Sequence, residues 1–100
     1  MALDPRKVSL IEEFLEECFV GCSVYDSEDL GRVGRFYRIV NDTTGKVLHR
    51  VLVSRAFFDD HAEAEIVSAL ENLALLVCLR MAGARFVTVR SQVIEIEDDT

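Results

Sequence analysis

Two runs rich in β-branched and aromatic residues, Val33 to Val40 and Lys46 to Ser54, flank Asn41-Asp42-Thr43-Thr44-Gly45, a stretch of turn formers. Side chains stiff at χ1 suit a pleated surface, and a short polar loop ending in glycine supplies the reversal, so this segment predicts a β-hairpin. Nothing else in the chain narrows the fold as much. In the first run Phe36, Arg38 and Val40 share one face, and Val33, Arg35, Tyr37 and Ile39 share the other. In the second, Val47, His49, Val51 and Val53 alternate with Leu48, Arg50 and Leu52. Both faces are half apolar, which predicts cover on each: a helix on one and a second subunit on the other.

Upstream, Asp4-Pro5 opens a helix, because proline at the first helical position gives up no hydrogen bond and presets φ. Val8, Ile11, Phe14, Leu15, Cys18 and Phe19 recur at three- and four-residue steps, with Glu12, Glu13, Glu16 and Glu17 opposite them and a stop near Gly21. Cys22 to Tyr25 reads as a short strand and Asp26 to Gly31 as a polar loop. After the hairpin, Ser54 caps a short turn through Phe58, and Asp60 with Glu63 has the form of a capping box opening a helix from 61 to 82, closed by Gly83. Ile66, Leu70, Leu73, Val77 and Met81 form one stripe on that helix. Leu75, Cys78, Leu79 and Ala82 form a second, so its C-terminal half is apolar nearly all round. In the tail, Val87, Val89 and Val93 alternate in one phase and Ile94 and Ile96 in the other, which predicts a bulge or break within 91–93, ahead of a frayed acidic end at 98–100.

These elements make one α+β domain over residues 1–100 in the order α-β-β-β-α-β, an antiparallel sheet centred on the 33–54 hairpin packed against the 61–82 helix. Half of the residues are apolar, enough to build a core and to exclude a disordered chain. The longest apolar run, Leu73 to Leu79, falls far short of the roughly 20 residues that cross a bilayer, so no membrane contact is expected. Cys18, Cys22 and Cys78 are an odd set without a secretory leader, which points to reduced thiols and a cytoplasmic protein.

The net charge of −7 is unevenly spread. Residues 1–29 hold eight acids and two bases, residues 30–58 six bases and one acid, and residues 59–100 nine acids and three bases. The hairpin is basic and the helical regions are acidic. In the first helix Glu12, Glu13, Glu16 and Glu17 lie toward the negative end of the dipole, whereas Asp59 and Asp60 precede the second helix, at its favourable end. These six carboxylates are the candidate surface for a protein partner with a basic face. The alternative is a ligand- or nucleic-acid-binding face on the hairpin made of Arg35, Tyr37, Arg38, His49 and Arg50, with bland pairing of those bases to helix carboxylates as its counterpart. Overall acidity makes nucleic acid the poorer partner. Leu73, Leu75, Leu76 and Leu79 supply either a homodimer interface or the core.

Chemistry is thinly represented. Cys18 and Cys22 have no second pair and no neighbouring histidine to complete a metal site, and Asp59-Asp60-His61 point in different directions at a helix start. Gly31-Arg32-Val33-Gly34 lacks the rest of any phosphate-binding loop. No catalytic residue, metal or cofactor is expected, and the chain reads as a non-enzymatic accessory, chaperone, inhibitor or immunity factor, acting as a homodimer. In charge, size and element order it resembles the small acidic dimeric chaperones of type III secretion, though without their extra strand and closing helix. It is similar in its helix, three strands and helix to double-stranded-RNA-binding domains, but Asp59, Asp60 and Glu63 stand where those carry bases.

Overall fold

The computed structural model describes residues 3–29 and 34–97, with backbone alone at 28 and 29. Val33, placed above in the first hairpin strand, and the acidic end at 98–100 lie outside the described residues. The first helix, α1, covers Pro5–Cys18; Asp4 caps it, its side chain accepting from the Arg6 amide at 2.9 Å, and Ile11, Phe14 and Leu15 are its buried stripe. Three antiparallel strands follow, β1 (Cys22–Asp29), β2 (Gly34–Asn41) and β3 (Val47–Ser54). The expected loop from Asp26 is therefore strand as far as Asp29, because Asp26 to Asp29 pair with Tyr37 to Gly34 and the ladder outweighs their low strand propensity. In the β2–β3 turn the Asn41 side chain accepts from the Thr43 and Thr44 amides at 2.8 and 3.0 Å, and Gly45 supplies a φ of +73°.

Beyond β3 the short turn is a helix, and the single long helix expected over 61–82 is corrected to three pieces, a 3₁₀ turn and two short helices. Ser54 caps α2 (Arg55–Asp60), accepting from the Phe57 amide, as its position predicts. His61 then ends α2, its Nδ1–H donating to the Phe57 carbonyl at 2.9 Å, and the chain runs extended through Ala62 into a 3₁₀ turn, Glu63–Glu65. No capping box forms, because the Asp60 carboxylate accepts instead from the Ser91 hydroxyl. Helix α3 (Ile66–Asn72) and helix α4 (Leu75–Ala82) meet at Ala74, whose φ of 57° and ψ of 44° are left-handed. The break explains the double stripe: α3 buries Ile66 and Leu70, and the reorientation lets α4 bury Leu75, Leu79 and Ala82 while Val77 and Met81 turn to solvent at 54% and 69% exposure.

Strand β4 (Phe86–Val89) lies parallel to β3, and β5 (Ile94–Ile96) antiparallel to β4, in a five-stranded sheet ordered β1-β2-β3-β4-β5. The fold is α+β, with a mixed rather than wholly antiparallel sheet: the helical connection of residues 55–82 returns the chain to the end of β3 where that strand began, and only a parallel partner fits there. The predicted break in the tail is a tight turn, with the Arg90 amide donating to the Val93 carbonyl at 2.8 Å. It reverses the alternation, so that Val87, Val89, Ile94 and Ile96 all face the same way.

All four helices bury their apolar residues against one side of the sheet, in a core with Val24, Tyr37, Ile39, Val51, Val53, Val87 and Val89. No helix among the described residues contributes to the other side. Both edges of the sheet are acidic in sequence, Asp26, Glu28 and Asp29 on β1 and Glu95 on β5 with Glu97 beside it.

Candidate binding surfaces

The six carboxylates proposed for a basic partner do not form one patch. Glu13, Glu16 and Glu17 are exposed on α1, which has no acid in its first turn and no base in its last. Among the described residues the ion pairs join Arg35 to Asp26, Arg55 to Asp59 and Arg90 to Glu95, and none reaches these three. Glu12 is half-buried and lines a cleft of about 330 Å³ with Asp26 and Arg35. Burial and then the neighbouring Asp26 push its carboxyl above the ordinary range. Asp59 is drawn to Arg55 at 3.6 Å within α2, and Asp60 to Ser91.

The basic set divides across the sheet, which corrects its reading as one face. Tyr37 is wholly buried on the helical side, its hydroxyl donating to the Val8 carbonyl at 3.0 Å, and burial drives the phenol far up from its usual value. On the same side Arg35 grips one Asp26 carboxylate oxygen with two nitrogens, at 2.8 and 2.5 Å. His49 is structural as well: its Nδ1–H donates to the Gly83 carbonyl at the end of α4, at 3.0 Å, and its ring lies 5.0 Å from that of Phe19. Arg38 and Arg50, directly opposite each other on β2 and β3, point away from the helices and are exposed.

Around these two arginines the register assembles a surface that the sequence alone did not reveal. Tyr25 pairs with Arg38 and Phe86 with Arg50, so a row of Tyr25, Arg38, Arg50 and Phe86 crosses four strands. The Arg38 guanidinium sits 5.9 Å from the Tyr25 ring centre. Beside the row, the rings of Phe36 and Phe86 stack at 5.4 Å and 16°, and Leu52, between their strands, is only 3% exposed although it lies outside the helical core. The signal in the sequence is that Phe36 and Arg38 share a face of the first hairpin strand; Tyr25 and Phe86 join them only through the strand order.

Leu75 and Leu79 belong to the core, and Leu73 and Leu76 pack half-buried against it. The three cysteines are free thiols, and burial followed by Glu17 and Glu71 raises that of Cys18. A second cleft, of about 400 Å³, is lined by His61, Glu65, Ser68, Asn72 and Ser91. Among the described residues no group of three histidines, cysteines or carboxylates is placed to hold a metal ion.

No family model, curated protein or solved structure matches the chain. What the molecule presents is two surfaces of opposite sign: the outer face of α1, whose exposed glutamates no ion pair among the described residues reaches, and the sheet face that no helix among the described residues covers, carrying two arginines among aromatic rings. No helix among the described residues is long and apolar enough to cross a membrane.

Proposed function

We propose that the chain is a small non-enzymatic protein-binding factor whose α1 engages a basic surface on a partner protein. The observation that carries this reading is the state of Glu13, Glu16 and Glu17: exposed, crowded toward the negative end of the helix dipole, and joined to none of the ion-paired bases. A helix under stability selection alone has no use for that arrangement, and a cationic partner relieves it. Self-association belongs to the same proposal, with Val77 and Met81 on α4 as the contacting residues. A reducing compartment such as the cytoplasm suits the three free thiols.

The test uses the full chain as bait at low and high salt, beside the triple variant E13Q/E16Q/E17Q. Partner capture is expected to weaken with salt and to be lost in the variant, while the variant gains about 0.3 kcal/mol of stability per neutralised residue from relief of the dipole and of like-charge repulsion. A variant that captures the same partners, or melts earlier than the parent, rules the reading out. For self-association, sedimentation should give twice the 11.3 kDa mass for the parent and the single mass for V77E/M81E.

A further inference from the structure

The sheet face opposite the helices sets two exposed arginines among aromatic rings. Leu52 is already sealed by the Phe36–Phe86 stack, and Tyr25 stands 52% exposed at the end of the central row. Apolar contact alone cannot cover this face well. Arg38 and Arg50 sit in its middle, exposed and without a carboxylate partner among the described residues, and an apolar cover would strip water from both guanidinium groups and give nothing back. Whatever docks here has to bring acceptors for those forks together with apolar groups for the rings around them.

Three occupants meet part of that description. A second copy packed face to face sets arginine rows against each other and adds no carboxylate to the centre. A single-stranded nucleic acid brings phosphates, but its bases need open ring faces, and here Phe36 and Phe86 turn theirs toward each other while Arg38 covers that of Tyr25. The chain's net charge of −7 also opposes a polyphosphate strand. A polypeptide with carboxylates set between apolar side chains meets every requirement, and its carboxylates are discrete rather than continuous.

We propose that this face docks an acidic, apolar-flanked polypeptide segment of another protein, with Arg38 and Arg50 reading its carboxylates and Tyr25, Phe36 and Phe86 receiving its apolar side chains. The site is separate from α1 and opposite to it in sign, so the molecule can join a basic partner on one side to an acidic segment on the other.

The experiment measures fluorescence anisotropy of three probes with the full chain: a labelled peptide alternating Glu and Leu, its Lys and Leu counterpart, and a labelled single-stranded oligonucleotide. The Glu–Leu peptide is expected to bind, and the other two are not. In R38E/R50E that binding should fall about tenfold or more, whereas E13Q/E16Q/E17Q should not weaken it, which keeps this result apart from the fate of the α1 reading. Both arginines are exposed and form no ion pair among the described residues, so the double variant should keep its circular dichroism spectrum; if it does not fold, R38Q/R50Q carries the same comparison. Absence of Glu–Leu binding, equal binding of the two peptides, indifference to both arginine variants, preference for the oligonucleotide, or a dimer that protects β2 and β3 amides from exchange each overturns the proposal.

Discussion

Tyr37 shows how one buried polar atom decides a residue's role. Its ring fills the core while its hydroxyl reaches the Val8 carbonyl, fastening β2 to α1. Tyr37→Phe keeps the ring and loses the bond, so it should cost about 1 kcal/mol and lower the melting temperature by a few degrees, read by calorimetry. Glu12 makes the opposite case. Its carboxyl is raised in the folded state, so the fold binds that proton more tightly than the unfolded chain does, and stability is lost as pH rises through the raised value. Glu12→Gln is therefore expected to be more stable than the parent at pH 7, with the advantage vanishing as pH falls below about 4.3, the ordinary glutamate value. Urea midpoints of both proteins from pH 4 to 7 test the sign. Neither role is legible in the sequence: alternation sets Tyr37 and Arg38 on opposite faces without saying which face the helices cover, and Glu12 is one of four equivalent glutamates until packing turns it toward Asp26.

At the scale of elements, local chemistry was readable and tertiary compromise was not. The hairpin could be found because Asn41 and Gly45 specify its turn within a few residues, and Asp4 and Ser54 cap their helices by the same short-range logic. The break at Ala74 has no such signature, since alanine is the best helix former and sits inside an apolar run. What breaks the helix is the need to bury two stripes that no straight helix can bury together, and wholly buried Leu75 and Leu79 offset a left-handed alanine costing about 1 kcal/mol. The sign of one substitution checks this. In a continuous helix Ala74→Gly costs about 1 kcal/mol; at a left-handed junction it should leave stability unchanged or raise it, as measured by chemical denaturation.

Over the whole molecule, the order of folding follows from the connectivity. The strands β1, β2 and β3 form a meander of neighbours, whereas β4 reaches β3 only after the helices of residues 55–82 are in place. Contacts of such long separation are expected to form late. The same long connection hid the sheet face from the sequence, because Phe86 stands beside Arg50 only when the crossover closes. The segment charges were countable from the start. Where they point was not: Arg35 is held against Asp26 under the helices, and Arg38 and Arg50 emerge on the far side.

The acidic residues along β1 and β5 bear on the protein's behaviour outside its native state of solution. Among the described residues each edge strand leaves one side of its backbone without a ladder partner, and in sequence both edge strands carry acids and no base, although Asp26 and Glu95 are paired to Arg35 and Arg90; that excess of negative charge discourages edge-to-edge pairing of copies at neutral pH. Acidification removes that guard from both edges together. Below about pH 4, where aspartate and glutamate take up protons, the chain is expected to grow cross-β fibrils, seen as a rise in thioflavin T fluorescence, and to stay free of them at pH 7. Glu95→Lys, which keeps a charge on β5 in acid, should delay their appearance.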